Sequence, residues 1–152
     1  MRIDEIANQP LEWKWYRNTP GSMRQRYKQI MGTPNLKKTG AEFEAGDQTI
    51  FVVFAQDDDG IYHLLFDSTE NRNPDKAFKL TGAGTATAGQ IFATIAQITS
   101  EFIDKMNLDH IAFVAASEKR AKLYLHLAKR FAPGWKADRT FWHGHIRFDL
   151  VR

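Results

Sequence analysis

Residues 91–131 read IFATIAQITSEFIDKMNLDHIAFVAASEKRAKLYLHLAKRF, and this stretch decides the fold. Ile91, Phe92, Ile95, Ile98, Phe102, Ile103 and Met106 recur at three- and four-residue spacing, which predicts an amphipathic helix. Asn107-Leu108-Asp109 closes it. His110 to Ala116 is then nearly all apolar, the pattern of a strand buried on both faces inside a sheet. Ser117 stands as the N-cap of a second helix over Glu118 to Phe131, with Ala121, Tyr124, Leu125 and Ala128 along one face. Pro133-Gly134 is its stop.

Toward the N-terminus, Thr49 to Ala55 and Gly60 to Phe66 are β-branched and aromatic runs, and Asp59-Gly60 between them is a hairpin-turn signal. The Asp57-Asp58-Asp59 run lacks the alternating ligand spacing and the distal glutamate of a calcium loop, so it reads as a solvated turn. A third strand fits Lys76 to Leu80. After the second helix, Trp135 to Ala137 reads as a short strand and Thr140 to Val151 as a last long one. Before residue 48 the pattern is less regular: Trp13, Trp15, Tyr16, a Pro20-Gly21 turn, and a short helix over Ser22 to Met31. The expectation is one α/β (α+β) domain over residues 1–152. An irregular or helical N-terminal arm covers 1–47, and a core over 48–152 carries a mixed sheet in the order β-β-β-α-β-α-β-β.

The 152 residues are 43% apolar and 26% charged, ordinary proportions for one globular domain. Cysteine is missing, which excludes disulfide frameworks, thiolate metal sites and cysteine nucleophiles. The longest apolar runs fall far short of the about 20 residues that a membrane-crossing helix needs. With no hydrophobic N-terminal segment either, the expectation is a soluble cytoplasmic protein without a membrane partner.

Charge is polarised along the chain. Residues 1–40 carry net +5, residues 41–80 net −6 and residues 81–152 net +4, for +3 in all. Basic ends suit a phosphate-bearing partner, but a total of +3 falls short of a dedicated nucleic-acid domain, so nucleic acid is not the expected partner. The tryptophans flanking Lys14 suit either stacking on a ring or, as is commoner, a lid over a core edge. His143 and His145, one residue apart on the expected last strand, share a face with Phe141 and Arg147. Arg147 would repel a dication there, so no metal is expected. No G-x-S-x-G, phosphate-loop or H-E-x-x-H motif occurs.

From about residue 48 onward, the element order, with its Gly-rich turn before the long helix, resembles the GCN5-related N-acetyltransferase (GNAT) family. Ala121-Lys-Leu-Tyr124-Leu-His-Leu-Ala128-Lys-Arg-Phe131 looks like that family's A-x-x-L-Y-x-x-x-G-F helix, with Lys129-Arg130-Phe131 here in place of the Gly-Phe step. The resemblance implies that Tyr124 is the general acid that protonates the departing coenzyme A thiolate. It also implies a pyrophosphate loop at Gly82, Gly84, Thr85 and Ala86, small residues at a helix mouth, with Thr81 where the family has Gln or Arg. Acetyl-CoA would then enter where the third and fifth strands splay, and the acceptor would be an amine of a small molecule or protein. No general base stands out, Glu70 and Asp75 lying just before the third strand. The chain is also similar to small bacteriophage proteins of GNAT-like shape, which implies a host cytoplasm.

Two readings of these residues stay open. Tyr124 lies on an apolar helix stripe and also suits a packed core position. Lys119, Arg120, Lys122, Lys129 and Arg130 suit adenosine phosphates, or a solvated basic face. The alternative function is a non-catalytic module on the same scaffold, holding a host or virion protein through the tryptophan-bearing arm.

Overall fold

Phe54 and Phe102 stack face to face, ring centroids 4.0 Å apart and planes within 8°, and the edge of Tyr62 closes on Phe102 at 5.0 Å. This aromatic knot pins a long helix to the centre of a seven-stranded mixed sheet. In a computed structural model, residues 9–16, 38–46, 48–68, 88–115, 117–142 and 144–152 are described. Their elements are β1 (Trp13–Tyr16), β2 (Lys38–Ala45), β3 (Gln48–Gln56), β4 (Tyr62–Ser68), α1 (Ala88–Met106), β5 (His110–Ala115), α2 (Glu118–Phe131), β6 (Lys136–Trp142) and β7 (His145–Val151).

The strands lie in the order β1-β2-β3-β4-β5-β7-β6. All neighbours are antiparallel except β4 and β5, which are parallel and joined through α1. A parallel pair needs such a crossover connection, because no tight turn can join strands running the same way. Both helices pack on the face that carries Phe54, Leu64, Phe113 and Phe148. Alternation along the strands puts Val53, Ala55, His63 and Ala112 on the other face, where they too are buried. The central strands are thus covered on both sides, which explains the continuous apolar run of β5.

Local chemistry sets the ends of the elements. Asn107 sits at φ 52, and the Leu108 amide reaches back to the Ile103 carbonyl, so the asparagine caps α1 in the left-handed conformation. Ser117 Oγ accepts from the Arg120 amide at the start of α2. In the β3–β4 turn, Asp57 Oδ1 accepts from the amides of Asp59 and Ile61, while Gly60 takes φ +83. The first aspartate of the run therefore builds the turn.

Three expectations change. The stretch expected as an arm contributes two strands: β1 pairs with β2, and β2 pairs with β3 along its whole length. Residues 140–151 form a hairpin instead of one strand, with Trp142 opposite His145 and Gly144 at φ +79. Of the short strand expected at 135–137, Lys136 and Ala137 are the first two residues of β6, and Trp135 precedes it. The order of the described elements is accordingly β-β-β-β-α-β-α-β-β, in place of the expected β-β-β-α-β-α-β-β. The strand expected at Lys76 to Leu80 and the helix at Ser22 to Met31 lie outside the described residues. Because the third strand of that expectation, Lys76 to Leu80, lies outside the described residues, so does the expected meeting point of the third and fifth strands; among the described strands, β5 takes β4 as its parallel neighbour.

Candidate functional site

The parallel ladder holds only three pairs: Tyr62↔Ile111, His63↔Ala112 and Leu64↔Phe113. Both strands run on past it, β4 to Ser68 and β5 to Ala115. Over the end of this ladder lies Tyr124 of α2. Its ring meets Phe66 edge-on at 5.1 Å and Phe113 at 5.8 Å. Phe66 is two residues past the last ladder residue of β4, and so lies on the same face. Tyr124 is half-buried, so the ring is held while the residue keeps some surface.

One helical turn earlier, the Arg120 guanidinium donates from Nη1 to the Tyr124 hydroxyl oxygen at 3.2 Å. Arg120 is 8% exposed. Its backbone is fixed by the Ser117 cap and its side chain reaches Tyr124, so both ends of the residue are positioned. Lys119, Lys122, Lys129 and Arg130 are exposed on α2. The reading of all five cations as one basic face is therefore corrected for Arg120. The signal was available, because residue 120 falls in helical phase with Tyr124, Leu127 and Phe131.

Gly82, Gly84, Thr85 and Ala86, the resemblance's pyrophosphate loop, lie outside the described residues, as do Glu70 and Asp75. The tryptophans pack as a lid. Trp13 Nε1 donates to Gln97 Oε1 at 3.0 Å, the two indoles meet edge-on at 5.1 Å, and Trp15 reaches Phe54 at 6.5 Å. The Lys105 ammonium sits 5.7 Å from the Trp15 ring centre. His143 lies outside the described residues, and His145 is the first residue of β7. Among the described residues, no three His, Asp or Glu side chains are grouped to hold a metal ion. No described helix is long and apolar enough to cross a membrane.

A second polar cluster lies on the opposite face of the sheet. His63 Nε2 meets Asp57 Oδ2 at 2.8 Å, and His110 Nε2 meets Asp149 Oδ1 at 2.7 Å. Arg147 grips both oxygens of Asp149, at 3.0 and 2.9 Å. Burial pushes the His63 imidazole below its ordinary range, helped by Arg147 and opposed by the Asp57 hydrogen bond and the Asp149 charge. Burial works to raise Asp57 and Asp149, but their hydrogen bonds outweigh it. His63 and the Ile61 and Asp59 amides hold Asp57 low, while Arg147 and His110 hold Asp149 low.

The sign for stability follows. His63 binds its proton more weakly folded than unfolded, so the unfolded chain gains protons first as pH falls. Stability should begin to drop below about pH 6.5, the unfolded imidazole value. A second loss should come below about pH 4, when Asp57 and Asp149 protonate. Thermal unfolding of the wild type and of His63→Gln across this range checks it. The variant should lose the upper limb and keep the part of the lower one that Asp149 contributes.

Comparison with protein-family models, with curated proteins and with solved structures finds no match. Fold and site together define a mixed α/β protein with a helix-borne tyrosine over the end of a parallel strand pair. The same face carries a buried arginine bonded to that tyrosine.

Proposed function

We propose that the chain is a GNAT-like acyltransferase that moves an acetyl group from acetyl-CoA to an amine. The observation that carries this reading is the position of Tyr124, with its hydroxyl beside a guanidinium and its ring against Phe66 and Phe113 where the β4–β5 ladder ends. Two parallel strands that stop pairing after three residues supply facing strand edges. An amide-bearing pantetheine arm suits such edges, because it carries the same donors and acceptors as a peptide.

The residues present fit the leaving end of a thioester. A phenol O–H is a proton donor, and the flanking aromatic rings suit sulfur and acyl carbon better than water does. The acetyl donor supplies an activated carbonyl. The amine nitrogen attacks that carbonyl, a C–N bond forms and the C–S bond breaks. Tyr124 gives its proton to the departing sulfur, the attacking nitrogen loses a proton to water, and the phenolate regains one from solvent. Lys119 and Lys122, exposed on the first turns of α2, form a positive rim suited to the phosphates of the donor's nucleotide end.

Titration with acetyl-CoA tests this. Saturation at 100 times the dissociation constant should stabilise the fold by about 2.7 kcal/mol, seen as a higher Tm with heat released on binding. No heat and no thermal shift at millimolar acetyl-CoA would overturn the reading.

A further inference from the structure

We propose that Arg120 is a positioning residue that fixes the direction of the Tyr124 proton and stabilises the phenolate left once that proton has gone. This rests on the acyltransferase reading for its chemical use, but its physical content belongs to the pair itself.

Arginine carries donors and no acceptor, so in the 3.2 Å contact the Tyr124 oxygen must be the acceptor. The phenol proton is thereby turned away from Arg120, toward a second partner. A tyrosine held this way is committed to donating elsewhere, whereas a serine or water in place of Arg120 would let the hydroxyl rotate and give its proton to that neighbour. The same contact serves the product of the transfer. Once the proton leaves, a negative oxygen lies beside a positive group that is itself buried, where the attraction is stronger than in bulk solvent. Among the described ring contacts, those that reach Tyr124 from β4 and β5 are Phe66 and Phe113, which carry no charge. On α2 itself, Ser117 engages the Arg120 backbone and leaves the guanidinium to its other contacts.

The position of Arg120 is also poor for helix stability. It is the third residue of α2, where the helix dipole favours anions, and Glu118 two residues earlier follows that rule while Arg120 breaks it. Burying a guanidinium has a desolvation cost, and a surface arginine would not bear it. A cation placed against the dipole, buried, and bonded to a tyrosine over the ladder's end makes sense when its task is electrostatic.

The test is the ionisation of Tyr124, followed by ultraviolet difference titration against a Tyr124→Phe background that subtracts the other tyrosines. Replacing Arg120 with methionine keeps much of the side-chain volume and removes the charge. The Tyr124 midpoint should rise by about one pH unit or more. Arg120→Lys keeps the charge without the planar fork, and its midpoint should fall between wild type and Arg120→Met. Should Arg120→Met fail to fold, the lysine variant still reads the same quantity. A Tyr124 midpoint that stays put in every folded variant would overturn the inference.

In turnover, Arg120→Met should lower kcat for acetyl transfer while leaving KM for acetyl-CoA within about two-fold, since the guanidinium acts on the transition state. A mere packing role would move stability and leave the phenol titration unchanged. If the titration moves but the wild type transfers no acetyl group, the pair stands and the acyltransferase reading falls.

Discussion

Replacing Phe102 with alanine is expected to destabilise the protein by about 3–5 kcal/mol, the cost of emptying a fully buried aromatic site. The ring is 2% exposed and stacked on Phe54 at 4.0 Å, with Tyr62 on its edge. Alanine would forfeit the transfer free energy of the ring and leave a cavity between α1 and the sheet. Domains of this size are stable by only about 5–15 kcal/mol, so the variant should lie near its unfolding threshold. Urea denaturation reads the loss as a lower midpoint with the slope preserved. Phe141→Ala is the matched comparison: its ring is 79% exposed, so the change should stay within about 0.5 kcal/mol. Equal losses in the two variants would contradict the packing described. The position matters for the site as well. Phe102 ties α1 to β3 and β4, and β4 supplies both the parallel ladder and Phe66 beneath Tyr124.

How far the sequence foretold this arrangement depends on the kind of signal each element gave. α1 and α2 were legible because their apolar stripes are long and their ends carry Asn107 and Ser117, residues with a specific capping chemistry. β5 was legible because a strand covered on both faces is written as an unbroken apolar run. β2 was missed for the opposite reason. Of its alternating core positions only Phe43 is large, with Ala41 and Ala45 on either side, so the period-two pattern is faint. The β6–β7 hairpin was hidden because Trp142 and His145 on either side of the turn both suit a strand. The only turn signal was Gly144, which adopts a positive φ that other residues rarely take.

The site divides in the same way. Tyr124 was singled out because its helix carries a motif-like pattern. Arg120 was grouped with its basic neighbours, since charge composition gives no direction, and only the helical phase relating it to Tyr124, Leu127 and Phe131 could separate it from them. The tryptophans also show the limit of composition. Trp13 and Trp15 lie on one face of a four-residue strand, and whether that face meets a ligand or a helix depends on the sheet order. The contacts to Gln97 and Phe54 decide for the helix and core edge.

Tyr124→Phe should lower kcat for acetyl transfer by roughly 100-fold or more, the effect of removing a positioned general acid. The variant keeps the ring and its edges toward Phe66 and Phe113, so the local shape survives. What it loses is one oxygen, and with it two things that can be measured apart. The first is the hydrogen bond from Arg120, whose loss should destabilise the fold by about 1–3 kcal/mol because its donor is charged. The second is the proton supplied to the leaving sulfur. A thiolate departs without help more slowly than a thiol does, and each tenfold loss in rate corresponds to about 1.4 kcal/mol of barrier. Binding of acetyl-CoA should be nearly unchanged, since the phenol proton is used when the C–S bond breaks and contributes little beforehand. The pH profile gives the sharper discrimination. The wild type should lose activity on the alkaline side as the phenol ionises, and that limb should vanish in Tyr124→Phe, leaving a slow rate without it. A variant that folds, binds acetyl-CoA and turns over at the wild-type rate would return Tyr124 to the core as a packing residue.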